Sequence, residues 1–145
     1  MKILTATIGI AVWLSYMLAG CAELTTSNVG KEEFESKCVT CHGVSGKGDG
    51  PQSQFLPIRP ADLTMLAKKN GGVFPALRVN EIIDGRLEVT AHGPRMMPVW
   101  GAEFLLDVPK LPQDASAETF TYREARVNAK IQALVDYLSR LQDMK

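Results

Sequence analysis

The sequence predicts an all-α domain, and three features point to that class. Val127, Ile131, Leu134, Leu138 and Leu141 recur at helical spacing and make one apolar stripe near the C-terminus. No segment sustains the apolar–polar alternation of a half-buried strand. Prolines at 51, 57, 60, 94, 98, 109 and 112 punctuate the remainder, and a central strand tolerates proline poorly. With 145 residues, the chain has the length to bury a single core.

The first element expected is a helix over 30–41. Asn28 stands as its N-cap, Glu32 and Glu33 put acids in the first turn, and Phe34 and Cys38 share a face. Glycines at 43, 46, 48 and 50, followed by Pro51, then forbid regular structure and let the backbone approach a flat ligand closely. Neither Gly-x-Gly-x-x-Gly nor Gly-Lys-Ser/Thr spacing occurs and no strand precedes the loop, which argues against phosphate binding. A short helix over 61–69 should stop at Asn70-Gly71-Gly72, and another over 75–84 begins at Pro75 and stops at Gly85. Thr121 and Glu124 have the spacing of a capping box at the head of the terminal helix. The stretch 101–120, with Asp107, Pro109, Pro112 and Asp114, reads as an exposed loop, either a tolerated insertion or a partner contact. The expectation is about four to five helices joined by long loops.

Ahead of this domain, Met1 and Lys2 give a short positive start and residues 3–18 are almost entirely apolar or small, as in an export signal. The signal ends in Leu18-Ala19-Gly20-Cys21, which resembles the lipobox of bacterial lipoproteins. That assigns 1–20 to a signal peptide, Cys21 to lipidation, 21–29 to a polar tether and 30–145 to the domain. An uncleaved anchor is the alternative, at the lower edge of the roughly 20 apolar residues that a span requires. Either arrangement places the domain outside the cytoplasm, and lipidation would hold it at a bacterial membrane in the periplasm.

Chemistry enters with Cys38, Val39, Thr40, Cys41 and His42. Two thiols in Cys-x-x-Cys-His can each add to a vinyl group of one haem while the adjacent imidazole reaches the iron. A dithiol redox pair or half a zinc site uses Cys-x-x-Cys as well. A closed zinc site needs further ligands, yet the other histidine is His92 and the other cysteine is Cys21. With Cys21 lipidated and Cys38 and Cys41 on haem, no thiol is left for a disulfide. The balance of 16 basic and 16 acidic residues gives no footprint for nucleic acid.

A second axial ligand is expected from Arg95-Met96-Met97-Pro98-Val99-Trp100-Gly101. A thioether is a soft neutral donor that raises the potential, and Pro98 stiffens the loop presenting Met97. Methionine is more often a core filler, and Met96, His92, Met65 or an open iron remain as alternatives. Arg59, a charged fork, and Trp100, through its indole nitrogen, are candidates to meet the haem propionates; a solvated arginine and a core tryptophan are the plainer readings. Lys47, Lys68, Lys69 and Arg86 are read as a solvated face rather than a docking ring.

Taken in order, Gly30, Lys31, Phe34, Cys38, Cys41, His42, the Gly50-Pro51 pair, Met97-Pro98 and a terminal helix bearing Tyr137 resemble class I cytochrome c over nearly all of 30–144. The resemblance implies that fold, wrapped around one covalently attached haem. It also implies a tight crossing of the first and last helices at Gly30 and Tyr137, and a hydrogen bond from the other ring nitrogen of His42 to the carbonyl of Pro51, which would orient the ring and tune the metal.

With histidine on one side and methionine on the other, the iron has no open position for substrate, so the centre passes electrons. The expected function is a membrane-tethered monomeric carrier, not an enzyme, exchanging single electrons with membrane-bound or periplasmic donor and acceptor proteins through weak encounters. A fixed electron-transfer subunit of a larger periplasmic dehydrogenase or reductase is the runner-up. A haem enzyme or gas sensor ranks third, because it needs a vacant iron position and a positioned proton donor, for which His92 and Arg95 are the available cluster.

Overall fold

A computed structural model describes residues 28–87, 97–109 and 117–143. Six α-helices account for most of them: α1 over 28–37, α2 Val39–His42, α3 Leu66–Lys69, α4 Ala76–Asp84, α5 Trp100–Asp107 and α6 Ala117–Arg140. Two 3₁₀ turns, Ser53–Phe55 and Leu63–Met65, lie between α2 and α3. No strand occurs among the described residues, and the all-α expectation is borne out.

Asn28 is itself helical, the first described residue of α1, and so is not the N-cap; the helix breaks at Cys38 before α2 resumes. The segment expected over 61–69 is shorter and tighter: Asp62 accepts from the Thr64 amide and opens a 3₁₀ turn, which passes into α3 and stops at Asn70. Pro75 sits one position before α4, and Gly85 closes that helix in the left-handed conformation (φ +98°), which a glycine adopts without strain. Thr121 and Glu124 lie inside α6, so their spacing does not mark its start.

The largest correction concerns 101–120. Residues 100–107 form α5, and 117–120 already belong to α6; 110–116 lie outside the described residues. Helix α5 exists because it docks. Phe104 is fully buried, and Gly101 lies so close to the carbonyl of Asp84 at the end of α4 that a Cβ there would collide with it.

One core joins four helices. Phe34 comes from α1, Val79 and Ile83 from α4, Phe104 from α5, and Val127, Ile131, Leu134, Val135 and Leu138 from α6. The crossing of α1 and α6 is close enough that a Cβ on Gly30 would overlap the carbonyl of Ala133 and crowd Cβ of Tyr137, whose ring lies 5.2 Å from that of Phe34. Beside Phe104, Lys130 of α6 pairs with Glu33 at 2.8 Å and with Asp107 at 3.3 Å. Lys37 pairs with the same Asp107 carboxylate at 3.3 Å. Both ammonium groups stand over the Phe104 ring, 5.6 Å (Lys37) and 5.2 Å (Lys130) from its centroid, so charge and ring together tie α1, α5 and α6. No helix among the described residues is long and apolar enough to cross a membrane. The segment expected to be signal peptide, and Cys21, lie outside the described residues.

Candidate haem site

Cys38, Cys41 and His42 are brought together by a single helical turn. The amide of Cys38 bonds the Phe34 carbonyl at 2.9 Å, continuing α1, and the amide of His42 bonds back to Cys38 at 2.8 Å. Carbonyls at the end of a helix lack partners, and the glycine loop supplies them. Gly48 donates to the carbonyl of His42 at 2.8 Å, Gly50 to Cys41 at 3.1 Å, and Gln52 to Thr40 at 2.9 Å. At Gly50 a Cβ would stand 2.5 Å from the carbonyl oxygen of Val39 and 2.6 Å from that of Thr40, which is why this loop closes over α2 only without a side chain.

His42 is oriented through Nδ1, which lies 3.0 Å from the carbonyl oxygen of Ala61. A carbonyl only accepts, so Nδ1 carries the proton and Nε2 keeps its lone pair for a metal. Burial pushes the imidazole below its ordinary pKa, against the upward pull of the Ala61 carbonyl, which suits a neutral ligand. The Ala61 carbonyl occupies the place expected of Pro51. Pro51 is exposed and its own carbonyl accepts from Gln54 Nε2 at 3.2 Å, so the proline shapes the loop and does not hold the histidine.

Cys38 and Cys41 are free thiols, both half-buried. The Cys38 thiol is pushed up to about 12, first by burial, then by Glu33 and Cys41, with Lys37 opposing. A reactive redox dithiol carries a thiolate near neutral pH, and burial of Cys38 resists forming one. Nor does any group of three or more histidine, cysteine or acidic side chains gather as a metal cluster among the described residues.

Cys38 borders the apolar core, as do Met97, Trp100, Phe74, Leu63 and Leu66, all partly buried. Two free thiols, a bare imidazole nitrogen and this apolar border fit a covalently attached macrocycle, with a thioether at Met97 available as a soft donor. Trp100 opens α5 with its ring 6.2 Å from Phe104. Arg59 donates from Nε to the carbonyl of Gly48 at 3.2 Å, which ties the 56–60 segment to the glycine loop. Met96, His92 and Arg95 lie outside the described residues.

The cytochrome c family model matches residues 27–142 of the chain. The chain belongs to the cytochrome c family. Haem c is therefore its cofactor, held through cysteine, and Cys38 and Cys41 are the pair at the required spacing. Haem-based electron transfer is the function of the cytochrome at this level. No curated protein and no solved structure matches it.

Two parts of this cytochrome escaped the sequence reading. Ala61 acts through its backbone carbonyl, and an alanine side chain carries no mark of that. Gln142, which bonds the Ala67 amide and the Leu63 carbonyl, is separated from them by most of the domain. The only local hint was Asp62 between Pro60 and Thr64, a turn-capping pattern that marks a fixed backbone.

Proposed function

We propose that this cytochrome is a monohaem class I carrier, with His42 and Met97 as axial ligands, that moves single electrons between membrane-bound or periplasmic partner proteins. The contact between His42 Nδ1 and the Ala61 carbonyl carries the reading, because it leaves Nε2 as a fixed, neutral donor. Bound haem supplies an iron that takes up and returns one electron. Cys38 and Cys41 would hold it by two thioether bonds, and His42 would donate Nε2 to the metal. Met97, stiffened by Pro98 and set against the core, would give its sulfur on the other side and favour the ferrous state. Arg59 and Trp100 would meet the propionates. With both His42 and Met97 on the iron no position would remain for substrate, so the cytochrome would act as a carrier and not as an enzyme.

In this proposal 1–20 is removed as a signal peptide, Cys21 becomes the lipidated first residue, the stretch after it forms the tether, and the haem domain begins with α1. One acyl chain holds a protein at a membrane only marginally, whereas two or more hold it stably. A tethered monomer in the periplasm stays near its membrane partners and meets them at a raised effective concentration.

The test is an optical spectrum of protein matured in a cytochrome c-producing bacterium, oxidised and reduced, with and without carbon monoxide. The expected result is a low-spin spectrum with the weak red band of sulfur-ligated ferric haem, unchanged by carbon monoxide. A high-spin spectrum that shifts at once with the gas would reject the axial pair and favour an open iron site.

A further inference from the structure

The Ala61 carbonyl orients His42 only if the backbone around Ala61 is itself held, and two hydrogen bonds of the turn that follows it meet on one distant side chain. Gln142 lies just beyond the end of α6. Its Nε2 donates to the carbonyl of Leu63 at 2.8 Å and to that of Leu138 at 2.7 Å, while its Oε1 accepts from the amide of Ala67 at 2.8 Å. Both amide protons and one acceptor site are thus used on backbone groups, and Ala67 is 2% exposed, so water is a poor substitute there. The next residue continues the grip, with the Asp143 amide donating to the Thr64 carbonyl at 2.8 Å.

From Gln142 the restraint runs to Ala61 in two short steps. Leu63 is held on both sides, its carbonyl by Gln142 and its amide by the Gly46 carbonyl at 2.7 Å. Between Leu63 and Ala61, the Asp62 carboxylate accepts from Thr64 N at 2.9 Å and from Thr64 Oγ1 at 2.6 Å, which stiffens the turn. A part-buried network of this kind stiffens the backbone when every member is satisfied.

We propose that Gln142 is a positioning residue for the haem iron: by clamping the 63–67 turn to the end of α6, it fixes the Ala61 carbonyl on His42 Nδ1 and so contributes to the reduction potential. The inference rests on the reading of His42 as an axial ligand. A histidine that donates a strong hydrogen bond through its far nitrogen is a more basic ligand, which favours ferric iron. Loosening the clamp therefore raises the potential.

The test compares matured wild-type cytochrome with Gln142→Met, a neutral side chain of similar length that removes all three hydrogen bonds, and with Gln132→Ala, a change at an exposed site paired with Asp136. Reduction potential, the nuclear magnetic resonance of the His42 Nδ1 proton and amide exchange at Ala67 are measured together. Gln142→Met should raise the potential, shift the Nδ1 proton and speed Ala67 exchange about tenfold, the effect of losing one buried hydrogen bond. Gln132→Ala should move none of them. Faster Ala67 exchange with an unchanged potential and Nδ1 resonance would make Gln142 a structural latch alone and overturn the proposal. Should the variant fail to fold, exchange in the wild type decides: an Ala67 amide protected to the level of the α6 core supports the clamp, and one that exchanges freely refutes it. An open-iron spectrum in the wild type would instead overturn the axial pair, and this inference with it, so the two failures are distinguishable.

Discussion

His42 shows how one contact sets a residue's chemistry. Because a carbonyl faces Nδ1, the proton is confined to that nitrogen, and the ring presents its lone pair at Nε2. Among the described residues, Met97 is placed by Pro98 and by the core beside it, with no comparable hydrogen bond. If Met97 supplies the sulfur, Met97→Ala opens the iron: the potential falls, the weak red band disappears and carbon monoxide binds at once. A variant with unchanged spectrum and potential would return the assignment to Met96, His92 or Met65. At this scale the two thiols and the histidine were legible in the sequence because side chains carry the chemistry. The Ala61 carbonyl was not, and Pro51 was expected in its place, since any residue supplies a carbonyl and only the path of the chain decides which one arrives.

Between elements, close approach and charge do the joining. At Gly30 helix propensity alone predicts that alanine would stabilise by about 1 kcal/mol. The overlap with the Ala133 carbonyl predicts the reverse, because the neighbouring atom is backbone and cannot swing away. Gly30→Ala should cost about 2 kcal/mol net, read as a lower denaturant midpoint. Lys130 gives a second check. Burial disfavours its charge, but hydrogen bonds to Glu33 and Asp107 outweigh this and raise its pKa; hydrogen bonds from Lys130 and Lys37 lower that of Asp107. A raised lysine stabilises below its ordinary value and loses that contribution as pH climbs through the raised one. A depressed aspartate stabilises above its ordinary value and loses it as pH falls through the lowered one. Lys130→Ala should therefore cost about 1 kcal/mol across the neutral range, a deficit that narrows toward both strong acid and strong alkali in pH-dependent unfolding. Helix α5 was missed at this scale for a physical reason. Gly101 and the flanking Pro98 and Pro109 argue for a loop locally, while burial of Phe104 and the pairing of Asp107 supply stability that no local pattern reports.

For the whole molecule, the proposed anchor makes a prediction independent of the haem. Cys21→Ser should move the cytochrome from the membrane fraction to the soluble periplasmic fraction with its spectrum intact, and the wild-type intact mass should show cleavage before Cys21 and added acyl chains. Retention of the variant in the membrane would point to an uncleaved span. The sequence by itself determined the helical class, through the 3.6-residue stripe of the last helix and the placement of prolines, and the cofactor, through Cys-x-x-Cys-His, because periodicity and covalent attachment are local properties. The tertiary structure alone decided that Gly30 meets Ala133, that α5 forms against α4 and α6, and that Ala61, backed by Gln142, faces the histidine. Each depends on backbone groups or on residues distant in sequence, and their meeting is set by the packing of the whole core, not by any segment's own preference.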